Sequence, residues 1–122
     1  MITCIGHVVG NKLRAVVGYD NHNGSSCAVH VAGEGRWLTK EFLHAIFHYP
    51  FVICDYKVLL AFVPSGNEQS KLFVENLGFE LFYEVKGGHP DGALLIYGLR
   101  KEQCRYLRSQ DGQEVVLAAA SA

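Results

Sequence analysis

Hydrophobic and polar positions change their period several times along this chain, and each change marks an element. Residues 2–9 and 12–19 are two runs rich in β-branched and apolar side chains. Gly10-Asn11 between them is a tight-turn signal, so the pattern predicts a hairpin. Asp20-Asn21-His22-Asn23-Gly24-Ser25 is a polar loop built from turn-forming residues. Residues 26–32 alternate, with Cys27, Val29 and Val31 on one face and Ala28, His30 and Ala32 on the other. Gly33-Glu34-Gly35 breaks that strand. From Trp37 onward Leu38, Phe42, Leu43, Ile46 and Phe47 recur at helical spacing. Arg36 or Thr39 marks the start of that helix, and Tyr49-Pro50 marks its end, because a residue before proline is pushed out of helical geometry.

Residues 57–63 form a continuous apolar strand, the pattern of one buried on both faces. Pro64-Ser65-Gly66-Asn67 is a turn placed to cap a helix over 68–77, with Leu72, Phe73 and Leu77 inward and Gly78 as its left-handed stop. Residues 79–86 and 93–99 read as strands joined by a glycine-rich loop, and 101–107 as a short helix. The order β-β-β-α-β-α-β-β predicts an α/β (α+β) fold, a mixed, largely antiparallel sheet covered by helices. One domain is expected over 1–108. Residues 109–122 show no period and are expected to be a flexible tail.

Composition narrows the function classes. A chain of 122 residues with 49% hydrophobic content fits one domain with a real core. The net charge of −1 gives no general attraction to phosphate backbones, so nucleic acid is not an expected partner. Arg100, Lys101, Arg105 and Arg108 read as a solvated face. No apolar run approaches the ~20 residues of a membrane span, and the start of the chain lacks the basic and apolar regions of a signal peptide. The expected compartment is therefore the cytoplasm. Cys4, Cys27, Cys54 and Cys104 are scattered, which suits free thiols and gives no C-x-x-C pair for zinc. His44 and His48 have a spacing that two metal ligands can use, but no acidic third ligand lies near in sequence, so no metal is expected.

Several words of the sequence, taken in order, carry a resemblance. They are Val-Val-Gly-Tyr-Asp-Asn-His-Asn-Gly at 16–24, His30-Val31-Ala32-Gly33, Arg36-Trp37-Leu38-Thr39, Tyr49-Pro50-Phe51, Asn67 with Leu77-Gly78-Phe79, Gly-Ala-Leu-Leu-Ile-Tyr-Gly at 92–98, and Glu-Gln-Cys-Arg-Tyr-Leu at 102–107. Together they resemble the GNAT superfamily of N-acetyltransferases, in particular a group of small members of which many are phage or prophage encoded. The resemblance covers nearly the whole chain to about residue 108. It implies acetyl transfer from acetyl-coenzyme A to an amine acceptor, a peptide or a small molecule. It also implies that the third strand splays from the fourth, that the pantetheine arm lies in the gap, and that the pyrophosphate meets the N-terminus of the next helix.

Carried over residue by residue, the resemblance implies cofactor contacts at Val31, Gly33, Gly35, Arg36, Trp37, Leu38, Thr39, Asn67 and Ser70. The glycines stand out of the family's usual phosphate-loop pattern. Arg36 offers a guanidinium fork for phosphate, Glu34 a repelling charge, and a plain strand-to-helix turn explains the same residues. Asn67 reads equally as a helix cap. Val74 stands where the family carries the tyrosine that protonates the leaving thiolate, and valine has no proton to give. His30 is the candidate base, since histidine titrates near neutrality, and a half-buried structural histidine is the alternative. Tyr97 is the candidate replacement phenol, or simply a strand residue. Tyr19, Asp20 and His22 are candidates for the substrate wall. Family members generally begin with a strand and helices that cover the acceptor side, and here Met1 is followed at once by the hairpin. A homodimer is expected to supply that cover. The second functional class that these departures raise is a non-catalytic binding module, for protein or for coenzyme A.

Overall fold

The computed structural model describes residues 2–33, 38–107 and the backbone of 119–121. The hairpin forms as its pattern predicts: β1 (Thr3–Val9) and β2 (Lys12–Asp20) pair antiparallel, and Gly10 at the turn has φ +65°. The polar loop then closes on Asn23, whose side-chain oxygen accepts from the backbone N–H groups of Ser25 and Ser26. It leads into β3 (Ser26–Gly33), antiparallel to β2. Helix α1 (Lys40–His48) starts at Thr39, whose hydroxyl oxygen accepts from the Phe42 N–H at 3.1 Å. β4 (Val58–Pro64) lies parallel to β3, so α1 serves as the crossover that a parallel pair requires. α2 (Glu68–Asn76), β5 (Glu80–His89) and β6 (Gly92–Arg100) follow, and β7 (Ala119–Ser121) pairs antiparallel with β1. The sheet order is β5-β6-β4-β3-β2-β1-β7.

The register shows that both helices cover one face. Tyr19 pairs with Val29, Cys27 with Leu59, and Ala61 with Tyr97, and opposite residues share a face. The Tyr19 hydroxyl donates to the Ile46 carbonyl of α1, and the Tyr97 hydroxyl donates to Glu75 of α2. Between helices and sheet lies a single core in which Phe42, Phe47, Phe51, Leu59 and Leu99 are wholly buried. The opposite face carries Gly18, Ala28, His30, Leu60, Phe62 and Ile96, and no helix among the described residues packs on it.

Several expectations need correction. α1 ends before Pro50, but the chain does not straighten there. Tyr49–Ile53 continues as a wide π turn, closed by the Cys54 N–H donating to the Tyr49 carbonyl. Pro50 has no N–H to give the Ile46 carbonyl one turn back, and the Tyr19 hydroxyl donates to that carbonyl instead. In α2, Leu72 is exposed and Val74 is buried. The inward stripe is Phe73, Val74 and Leu77, which pack against the shared core. The predicted helix over 101–107 contracts to one 3-10 turn, Lys101–Gln103. Of the tail, the backbone of Ala119–Ser121 pairs with the β1 edge, and residues 109–118 and 122 lie outside the described residues.

Candidate functional site

The ladder between β3 and β4 is short. Ser26, Cys27 and Ala28 pair with Val58, Leu59 and Leu60, and no further pair forms. Yet β3 stays zipped to β2 as far as Gly33, and β4 to β6 as far as Pro64. Each strand is held by its outer neighbour, so the two diverge. Backbone polar groups along the parted edges are left without a strand partner and are available to a ligand.

The wedge opens into a cleft of about 650 Å³, a size that suits a small-molecule site. Val29 and Val31 line it from β3, Ala61 and Val63 from β4, Ile46 and Phe47 from α1, and Phe73, Val74 and Leu77 from α2. His30 and Phe62, which point to the helix-free face, also border it. Side chains from both faces therefore meet at the gap. The apolar walls exclude water from an extended ligand, and the polar side chains at the margin are His30, Asn67, Gln69 and Ser70.

The structure brings six of the residues singled out from sequence to this cleft: His30, Val31, Gly33, Leu38, Asn67 and Ser70. Thr39 follows Leu38 and caps α1, so the helix begins beside the cleft. Gly35, Arg36 and Trp37 lie outside the described residues. Asn67 is a helix cap: its side-chain oxygen accepts from the Ser70 N–H at 3.1 Å while it borders the cleft. Both readings of Asn67 are thus compatible with one position.

Tyr97 is not brought to the cleft wall. It is buried under α2, and its hydroxyl donates to Glu75 Oε2 at 2.7 Å. Burial, and then the neighbouring Glu75 carboxylate, push its phenol up to about 12. Val74 does line the cleft, so the wall carries a valine with no phenol beside it among the described residues.

Among the described residues His30 is the one imidazole that lines the cleft. Its Nε2 donates to Asp20 Oδ1 at 2.8 Å, and the two side chains are 56% and 32% exposed. Sequence reading placed Asp20 only near a substrate wall. The pairing becomes visible once the register sets His30 opposite Gly18, two residues from Asp20 on the same face. The cysteines are free, and burial raises the Cys27 thiol to about 12, so it is held neutral and unreactive. Among the described residues no three His, Cys, Asp or Glu side chains gather as metal ligands. His44 and His48 stack with ring centroids 5.2 Å apart, and His44 Nδ1 donates to the Tyr106 carbonyl. No helix among the described residues is long and apolar enough to cross a membrane.

No protein-family model matches the sequence, and no curated protein does. Solved structures do match the fold. One is a spermidine N-acetyltransferase chimera of Vibrio cholerae SpeG and hSSAT, with TM-score 0.74 at 13% identity over 87% of this chain and 69% of that one. A GNAT-family acetyltransferase from Bacillus anthracis gives TM-score 0.65 at 15% identity over 75% of this chain and 61% of that one. The N-acetyltransferase PseH of Campylobacter jejuni gives 0.61 at 16% identity over 74% and 61%. The chain has the GNAT acetyltransferase fold, and it spans about 61% to 69% of the length of these three structures.

Proposed function

We propose that this domain is an acyltransferase that moves an acetyl group from acetyl-coenzyme A to an amine. The observation that carries the reading is the parting of β3 from β4 beyond Ala28 and Leu60, over a cleft flanked by the starts of both helices. The residues present fit the cofactor. Unpaired backbone along β3 suits the amide groups of a pantetheine arm, and Val29, Val31, Ala61 and Phe73 give it apolar walls. The start of α1 at Leu38 and Thr39 offers N–H groups and a favourable dipole to pyrophosphate. Asn67 and Ser70 flank the same opening.

Bound acetyl-coenzyme A supplies an activated thioester carbonyl. The amine nitrogen bonds to that carbon and the carbon–sulfur bond breaks, so the products are an amide and a thiol. The proton lost by the amine equals the one gained by sulfur. In this reading His30 takes the amine proton, and its exposed position next to the gap supports that role. With valine at position 74, the sulfur takes its proton from solvent or from the histidine.

One observation favours a second reading. The cleft wall has Val74 where the resembling family has its acid, and Tyr97 is tied to Glu75. A module that binds coenzyme A, or a protein, without turnover fits that wall as well. The cytoplasmic location and the homodimer expected from the sequence belong to the same proposal.

Calorimetry with acetyl-coenzyme A, followed by thiol release across a panel of peptide, polyamine and aminoglycoside amines, tests the proposal. Binding with amine-dependent thiol release is the expected result. Binding without release selects the second reading, and no binding at millimolar cofactor removes the transferase.

A further inference from the structure

We propose that Asp20 is a positioning residue for His30, fixing its ring so that Nδ1 is the bare nitrogen, and that the amine reaches it from the helix-free face of the sheet. The inference rests on the acyltransferase reading of the cleft and adds to it a residue and a direction of approach.

The argument starts from the ladder. His30 pairs with Gly18, and Asp20 pairs with Ala28, so the two side chains are diagonal neighbours on one face. That face is the one opposite Tyr19 and Val29, hence opposite α1. His30 Nε2 lies 2.8 Å from Asp20 Oδ1. An ionised carboxylate only accepts, so Nε2 carries the hydrogen and neutral His30 has its lone pair on Nδ1. Nδ1 makes no hydrogen bond among the described residues. A base held by an acceptor on its far nitrogen is oriented and has its tautomer set.

The two faces then divide the work. The apolar walls from α1 and α2 stand on one side of the gap, and the His30–Asp20 pair stands on the other. A thioester held among the apolar walls presents its carbonyl at the parting of the strands. An amine arriving from the helix-free side meets a negative carboxylate, which suits the ammonium form that must lose a proton.

An exposed ion pair contributes little to stability, so Asp20 variants keep the fold and their effects report on the site. Two measurements on the full chain test the inference. Ring-nitrogen NMR shifts of His30 in the cofactor-free protein should show Nε2 protonated and Nδ1 bare. The opposite tautomer overturns the pairing, whether or not the protein turns over. Asp20→Ala should lower kcat roughly tenfold with KM for acetyl-coenzyme A unchanged. Asp20→Asn, which keeps the shape and an acceptor oxygen, should lose less. Wild-type kcat in Asp20→Ala, or a matching loss of cofactor affinity, overturns the positioning role. A wild-type protein that binds no acetyl-coenzyme A defeats the transferase reading and Asp20's part in it, while the nitrogen shifts still decide the pairing.

Discussion

At the scale of single residues, the site turns on which polar side chains reach the cleft. His30 does, through strand alternation and its place beyond the last β3–β4 pair. His30→Ala should lower kcat about 100-fold, within the usual range for a general base, and leave acetyl-coenzyme A affinity near wild type. Steady-state kinetics with calorimetry check this, and equal losses in both would argue against a base at this position. Tyr97 does not reach the cleft, because Ala61↔Tyr97 pairing sends it under α2. Tyr97→Phe should cost about 1 kcal/mol of stability, the worth of one hydrogen bond, and leave turnover unchanged. A collapse of kcat at wild-type stability would restore the phenol as the acid. The sequence showed both residues on strands. It did not show which strand pairs would close over them, and that separates a cleft residue from a buried one.

At the scale of elements, local chemistry fixed the boundaries and long-range pairing fixed the use. Asn67 was legible as a cap because a side-chain acceptor before a helical period has one obvious partner, the N–H three residues on, and the structure chooses Thr39 over Arg36 as the start of α1 by the same bond. Asn67→Ala should cost about 1 kcal/mol, seen as a fall in Tm of about 4 °C. An unchanged melt would mean that the cap contributes nothing. In the inward stripe of α2 Val74 takes the place expected for Leu72, since both are apolar and only the neighbours decide between them. The parting of β3 and β4 invites a direct block. Val31, 39% exposed on the cleft wall, has open space before it rather than packed core. Val31→Trp should weaken acetyl-coenzyme A binding by about tenfold or more, from ~1.4 kcal/mol of lost contact, while the melt stays near wild type. Wild-type affinity in a folded variant would place the ligand elsewhere.

At the scale of the whole molecule, one shared core ties the groups of the sheet's covered face to a common alkaline response. Burial foremost raises the phenols of Tyr19, Tyr49, Tyr56 and Tyr97 and the thiols of Cys27 and Cys104. A group whose value rises on folding contributes stability that is complete below its unfolded value, 9.0 for a thiol and 10.0 for a phenol. That contribution is lost as pH climbs toward the folded value, about 12 for Cys27 and Tyr97. Denaturant melts should therefore be flat across neutral pH with respect to these groups and fall steadily above about pH 9. A melt unchanged from pH 9 to 11 would mean that these side chains are not buried in solution. The order of the eight elements from β1 to β6, the Asn67 cap and the hairpin turn were legible in the sequence alone, because each depends on residues within a few positions of one another. The tertiary structure alone decided that β3 and β4 separate after three pairs, that Tyr97 turns away under α2, and that Asp20 meets His30. Those outcomes depend on register between segments that are distant along the chain, and register is set by the whole sheet packing on one core rather than by any local pattern.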